Sequence, residues 1–104
     1  MKHDLVVRAR ADVDVDEHAL YFARSSLNVA IRFLDRVWDS FQRIASNPDL
    51  GFADQMTTPR LGSVRVWPVR DFPNHLIYYR EIDRRVEIIR VLHAARNPAP
   101  ALDD

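Results

Sequence analysis

The stretch Leu27-Asn28-Val29-Ala30-Ile31-Arg32-Phe33-Leu34-Asp35-Arg36-Val37-Trp38-Asp39-Ser40-Phe41-Gln42-Arg43-Ile44-Ala45-Ser46 decides the fold, because it is amphipathic along its whole length. Ala30, Phe33, Leu34, Val37, Phe41 and Ile44 recur at spacings of three and four, the period of one helical face. Arg32, Asp35, Arg36, Asp39 and Arg43 fall mainly on the opposite face. Among them Asp39 and Arg43 form a favourable i,i+4 pair worth about 0.3 kcal/mol. Ser25-Ser26 breaks whatever precedes and caps this helix. Asn47-Pro48 ends it, since proline disfavours a helical residue before it. The apolar face needs cover, and the flanking sequence must supply it.

Upstream, Leu5 to Ala11 alternates as a short strand, with Leu5, Val7, Ala9 and Ala11 on one face and Arg8 and Arg10 on the other. Asp14 followed by Glu17 has capping-box spacing, which places a first helix at about Val15 to Arg24 that buries Ala19, Phe22 and Ala23. Two helices joined by so short a break form an antiparallel hairpin.

Downstream, a loop from Pro48 to Ser63 carries both glycines, Gly51 and Gly62. Val64 to Phe72 then alternates, and Pro68 within it removes a ladder donor, the mark of a sheet edge or a bulge. His75 to Glu81 is a second strand, Asp83-Arg84 a tight reversal, and Val86 to His93 a third strand rich in β-branched residues. Two successive hairpins make an antiparallel meander. The helical hairpin buries its apolar face on one side of that sheet. The class is α+β with the order β-α-α-β-β-β, residues 1–97 forming one domain and 98–104 a short C-terminal tail.

The chain has 104 residues and no cysteine, which excludes a disulfide framework, a thiolate nucleophile and a Cys-based zinc site. Its 15 basic and 15 acidic groups cancel, but unevenly. From Arg60 to Arg96, eight arginines face only Asp71, Glu81, Asp83 and Glu87, so this region is the positive side. Every basic residue except Lys2 is arginine, which suits planar, bidentate contacts to carboxylate or phosphate. Asp12, Asp14 and Asp16 fail as a calcium loop, because the sixth position is Glu17 instead of glycine and the twelfth is Ala23 instead of glutamate. His3, His18, His75 and His93 have no short ligand spacing, two isolated glycines build no phosphate loop, and no serine sits in a nucleophile elbow. No cofactor is expected. No apolar run spans a bilayer and the first residues lack a secretory leader, so the expectation is a cytoplasmic protein with no membrane contact.

The run Arg65-Val66-Trp67-Pro68-Val69-Arg70-Asp71-Phe72-Pro73-Asn74-His75-Leu76-Ile77-Tyr78-Tyr79-Arg80 resembles the central hairpin of the RelE/ParE toxin superfamily. Val86-Glu87-Ile88-Ile89-Arg90-Val91-Leu92-His93-Ala94-Ala95-Arg96-Asn97 resembles the closing strand of its ParE branch. Asn47-Pro48-Asp49-Leu50-Gly51 and Ala30-Ile31-Arg32-Phe33-Leu34 are similar to further family segments. Together these span residues 14–97, in the family's own order of elements. The front departs from the family, with Asp-Val-Asp-Val-Asp where others carry a Pro- or Ala-rich segment.

The resemblance implies the toxin of a type II toxin–antitoxin pair, neutralised by a cognate antitoxin whose C-terminal segment wraps it. A sheet with helices on one face leaves a face and an edge for a partner helix and an added strand, and Trp67 and Trp38 are candidate anchors. ParE-like members bind and inhibit DNA gyrase, a role that needs no catalytic group. RelE-like members cleave mRNA on the ribosome, which needs a base, an acid and cationic stabilisation. The kit for that alternative is His93, Arg96 and Arg80, with no tyrosine or histidine after Arg96. A balanced charge favours gyrase over ribosomal RNA. A third reading is a non-toxic module that binds antitoxin and tunes operon repression. Candidate partner- or target-binding residues are Arg96, His93, Arg80, Arg90, Arg65 and Trp67, with Glu87 a possible carboxylate partner of Arg80.

Overall fold

A computed structural model describes residues 3–53 and 61–102. Part of the Pro48–Ser63 loop and the acids Asp103 and Asp104 lie outside the described residues. Strand β1 (Asp4–Val7) leads into helix α1 (Ala9–Ala23) and helix α2 (Leu27–Ser46). A single 3-10 turn, Pro48–Leu50, precedes β2 (Phe52–Ala53), β3 (Arg65–Val69), β4 (Phe72–Ile82), β5 (Arg85–His93) and a short helix α3 (Pro98–Leu102).

Helix α2 has the expected ends. The Ser26 hydroxyl accepts the Val29 N–H, and Asn47 closes the C-terminus. Its apolar face is buried at Ala30, Phe33, Val37, Phe41 and Ile44, whereas Leu34 is exposed. Helix α1 departs from expectation. It starts at Ala9, capped by the backbone of Arg8 without a side-chain bond, so Leu5–Ala11 is half strand and half helix. Ala9, Arg10 and Ala11 are strong helix formers with little strand preference, and over so short a span the two periodicities coincide. Asp14 and Glu17 therefore sit inside the helix and form no capping box. The buried stripe is Ala11, Val15 and Ala19, with Phe22 half-buried and Ala23 exposed.

The sheet order is β1-β5-β4-β3-β2. The β3-β4-β5 meander is antiparallel, as its two short turns require, and β2 adds antiparallel to β3. Strand β1 joins β5 in parallel after the helical crossover, so the whole sheet is mixed. Asp83 and Arg84 both have positive φ, 51° and 63°, which gives the turn a twist matched to its strands. Pro68 lies beyond the two residues of β3 that pair with β2, and the β3–β4 register shifts beside it. On the β4 side the shift leaves Pro73, Asn74 and His75 bulging between Phe72, which pairs with Val69, and Leu76, which pairs with Pro68.

Two apolar clusters flank the sheet. The helical hairpin covers Val69, Ile77, Tyr79, Val86, Ile88 and Val91. On the opposite face Leu61, Val64, Ala101 and Leu102 cover Tyr78, Ile89 and Leu92. Leu102 is fully buried, so residues 98–102 pack as part of the body.

Tyr79 fixes the exit of α2. Its buried hydroxyl donates to the Pro48 carbonyl (2.7 Å) and accepts the Gly51 N–H (2.8 Å). A Cβ at Gly51 would stand 2.6 Å from that oxygen and 2.9 Å from the Val66 carbonyl oxygen, so only glycine fits.

Candidate functional site

Past Ile88, strand β5 has lost its β1 neighbour, and α1 side chains replace the missing ladder. The Asp14 carboxylate accepts the Val91 N–H at 3.0 Å, and one turn later His18 Nε2 donates to the Val91 carbonyl at 2.9 Å. Asp14 also takes the Arg90 guanidinium through two bonds, of 2.7 and 2.9 Å. Arg90 Nη1 then donates to the Ala101 carbonyl (3.1 Å), tying α3 to the sheet. With 2% of its side chain exposed, Arg90 is an interior cation and does not belong to the surface set proposed from sequence.

Arg80 is likewise committed inside the protein. Its Nε donates to Glu87 at 2.8 Å, and its Nη1 to the Leu61 carbonyl at 2.9 Å. Glu87 also holds Arg8 at 2.9 Å, so one carboxylate bridges two cations. Arg65 donates to the Gly51 carbonyl at 2.7 Å and lies 3.6 Å from Asp49. Trp67 is half-buried against the helix-side cluster, its ring 5.8 Å from that of Phe52. His93 and Arg96 are exposed at the end of β5, where the Arg96 N–H donates to the His93 carbonyl. Arg96 has no carboxylate within ion-pairing distance among the described residues.

The structure brings His93 and Arg96 together and holds Arg80 apart from them. Arg80 pairs across the hairpin with Glu87, and His75 with His93, at opposite ends of β5. Six residues of strand separate the two ends by about 20 Å.

Three histidines meet where sequence spacing gave no hint. The His75 ring lies 4.8 Å from His18 and 5.3 Å from His93, enclosed by Phe22, Phe33 and Phe72. Burial, with the neighbouring His18 and His93, pushes the His75 pKa down to about 4. These rings floor a cleft of about 520 Å³ between α1 and the Pro73–His75 bulge. Among the described residues no group of three or more His, Asp or Glu is arranged to hold a metal ion. The sequence holds one signal for the cluster: with α1 starting at Ala9, Asp14 and His18 lie one turn apart on the side of the helix that reaches Val91 of β5.

A second feature is a row of exposed apolar residues on α2. Leu27, Ile31, Leu34 and Trp38 follow one another at spacings of four, three and four, each between 42% and 67% exposed. Sequence spacing had placed Leu34 with the core and missed the row. No helix among the described residues is long and apolar enough to cross a membrane.

No curated protein matches the chain. Among solved structures, one described as the chromosomal ParDE TA system from P. aeruginosa superposes with a TM-score of 0.72 at 13% identity. The match covers 88% of this chain and 96% of that one, and at such low identity it speaks for the fold alone. The sequence model described as the ParE toxin of the type II toxin–antitoxin system, parDE, matches residues 5–98. That span runs from the strand that joins β5 in parallel, through the helical hairpin, to the first residue of α3, so the chain belongs to the ParE toxin family.

Proposed function

We propose that this protein is the toxin of a type II toxin–antitoxin pair that acts by binding DNA gyrase and is held inactive by a cognate antitoxin. Membership of the ParE family supports the toxin role. The observation that carries the choice of a binding activity is the separation of Arg80 from His93, since a nuclease needs its acid, base and cation around one phosphate. Arg80 is, moreover, held by Glu87 and the Leu61 carbonyl. Contact with gyrase then falls to the exposed groups at the end of β5, Arg96 and His93.

The antitoxin contact is assigned to the α2 row. Leu27, Ile31, Leu34 and Trp38 form an apolar seam of the kind that receives one amphipathic helix, with Trp38 as its anchor. Among the described residues β2 covers the outer edge of β3 only at Arg65 and Val66, which leaves the edge beside half-buried Trp67 for an added strand.

Expression of the chain alone is expected to arrest growth, and the purified protein to inhibit supercoiling of relaxed plasmid by gyrase. Co-expression with the cognate antitoxin is expected to relieve the arrest and yield a co-purifying complex. Arrest accompanied by cut messages and intact supercoiling would overturn the gyrase reading in favour of ribosome-dependent mRNA cleavage. Complex formation without any arrest would leave only the antitoxin-binding module.

A further inference from the structure

We infer that the histidine-floored cleft between α1 and the Pro73–His75 bulge binds an unstacked base of a single-stranded nucleic acid, with Arg24, Arg32 and Arg96 taking the flanking phosphates. This inference goes beyond the gyrase and antitoxin assignments and shares Arg96 and His93 with the first of them, whereas Tyr21, Arg24 and Arg32 belong to it alone.

The wall is aromatic. Tyr21 stands 67% exposed beside half-buried Phe22, with ring centroids 6.1 Å apart, and Phe72 lies 5.3 Å beyond Phe22. An exposed tyrosine beside a concave aromatic wall is a stacking platform, and every base has a face that fits one.

The floor carries unspent hydrogen-bonding capacity. His93 Nδ1 accepts the Ala95 N–H, which leaves its proton on Nε2 as a free donor. His18 donates from Nε2 to the Val91 carbonyl, which leaves Nδ1 as a free acceptor. His75 is 8% exposed, and its Nδ1, closed off from solvent and without a partner among the described residues, lies beneath these two and is not offered to a ligand. A flat ligand whose edge presents an acceptor and a donor side by side is the chemistry that meets the His93 donor and the His18 acceptor, and a nucleobase edge is of that kind.

The rim supplies the charge. Arg24 packs 5.9 Å over the Tyr21 ring and Arg32 6.0 Å over Phe72. Arg96 is bonded through its backbone to His93. All three are exposed, and none has a carboxylate within 4 Å among the described residues. Of the two acids of the lining, Glu17 lies 3.9 Å from Arg10, and Asp71 is held by Arg36 at 2.6 Å, with Arg70 and Arg32 acting on it from further off. A chain of zero net charge thus sets Arg24 and Arg32 against two rings of the cleft wall, with Arg96 three residues past His93.

The test uses the full chain and labelled single-stranded DNA and RNA of about 12 nucleotides, a length within known single-strand site sizes. One base is replaced by 2-aminopurine, whose fluorescence is quenched on stacking. Saturable binding with quenching is expected, at least tenfold weaker for the duplex of the same sequence. Tyr21→Ala should weaken binding about fivefold or more and abolish the quenching. Arg24→Ala with Arg96→Ala should flatten the dependence on salt. All three positions are exposed, so circular dichroism is expected to be unchanged. Preference between the DNA and RNA arms identifies the source of the strand. Absence of binding to both, equal binding of duplex, or a Tyr21→Ala variant that binds and quenches as before overturns the inference.

Discussion

Asp14 and Arg90, 76 residues apart in the chain, meet in a bidentate ion pair with both side chains almost wholly withdrawn from water. The same carboxylate binds the Val91 N–H, and the same guanidinium binds the Ala101 carbonyl, so α1, β5 and α3 are joined through one pair of charges. Asp14→Ala strips the cation of this partner and orphans a strand amide. Unfolding in urea is expected to show a loss of about 3–5 kcal/mol. The double variant Asp14→Leu with Arg90→Met removes both charges and should recover the share of that loss due to the stranded cation, while the Val91 N–H stays without its carboxylate. A single variant within about 0.5 kcal/mol of the parent, the range of an ordinary surface substitution, would show that the pair is not the link described.

His75 makes folding acid-sensitive. In the unfolded chain its imidazole titrates near 6.5, and in the folded protein at about 4. Between these values the unfolded state binds a proton that the folded state refuses, so stability falls as pH drops from about 6.5 to about 4, and this contribution then levels off. Its full size is on the order of 3 kcal/mol. His75→Phe keeps a flat ring among Phe22, Phe33 and Phe72, and should remove this share of the pH dependence. Denaturant midpoints measured across that interval decide it. Parallel pH curves for the two proteins would place the acid sensitivity elsewhere.

Strong local signals in the sequence correspond to features the structure confirms. Ser26 and Asn47-Pro48 bound α2 because capping and the proline effect act within a few residues. The Asp83-Arg84 reversal was legible for the same reason. What escaped notice depends on distant partners. The parallel pairing of β1 with β5, the burial of Leu102 and the meeting of His18 with His75 and His93 arise from topology, and no spacing encodes them. The α1 start is ambiguous in the sequence because two periods overlap there, and with it the inward placement of Asp14 and His18.

Gly51 is expected to resist substitution for a reason of space. In Gly51→Ala the new methyl meets the Tyr79 hydroxyl oxygen at 2.6 Å, and backbone on its other side leaves little room for retreat. A loss of about 1–3 kcal/mol follows, the usual range for overpacking. Tyr79→Phe keeps the ring but orphans the Gly51 N–H and the Pro48 carbonyl, at a cost of about 1–3 kcal/mol. Because both changes break the same junction, the double variant should cost less than the sum. Strict additivity in thermal or urea unfolding would refute that shared junction.

The two kinds of arginine at the ends of the hairpin should separate by experiment. Arg80 is fastened to Glu87 and to the Leu61 carbonyl, so Arg80→Ala removes charge-assisted bonds and is expected to destabilise the fold by about 1–3 kcal/mol. Arg96 is exposed past the last strand, so Arg96→Ala should leave stability within about 0.5 kcal/mol of the parent. Under the proposed function the order reverses for gyrase. Arg96→Ala should weaken inhibition of supercoiling while the protein stays fully folded, whereas Arg80→Ala should lose activity only in proportion to its unfolded fraction. Trp38→Ala supplies the control on the other surface. It should leave gyrase inhibition and stability intact, yet cost about tenfold or more in antitoxin affinity, as an aromatic anchor does. If Arg96→Ala inhibits as well as the parent while Trp38→Ala does not, the target-binding and antitoxin-binding surfaces have been assigned the wrong way round.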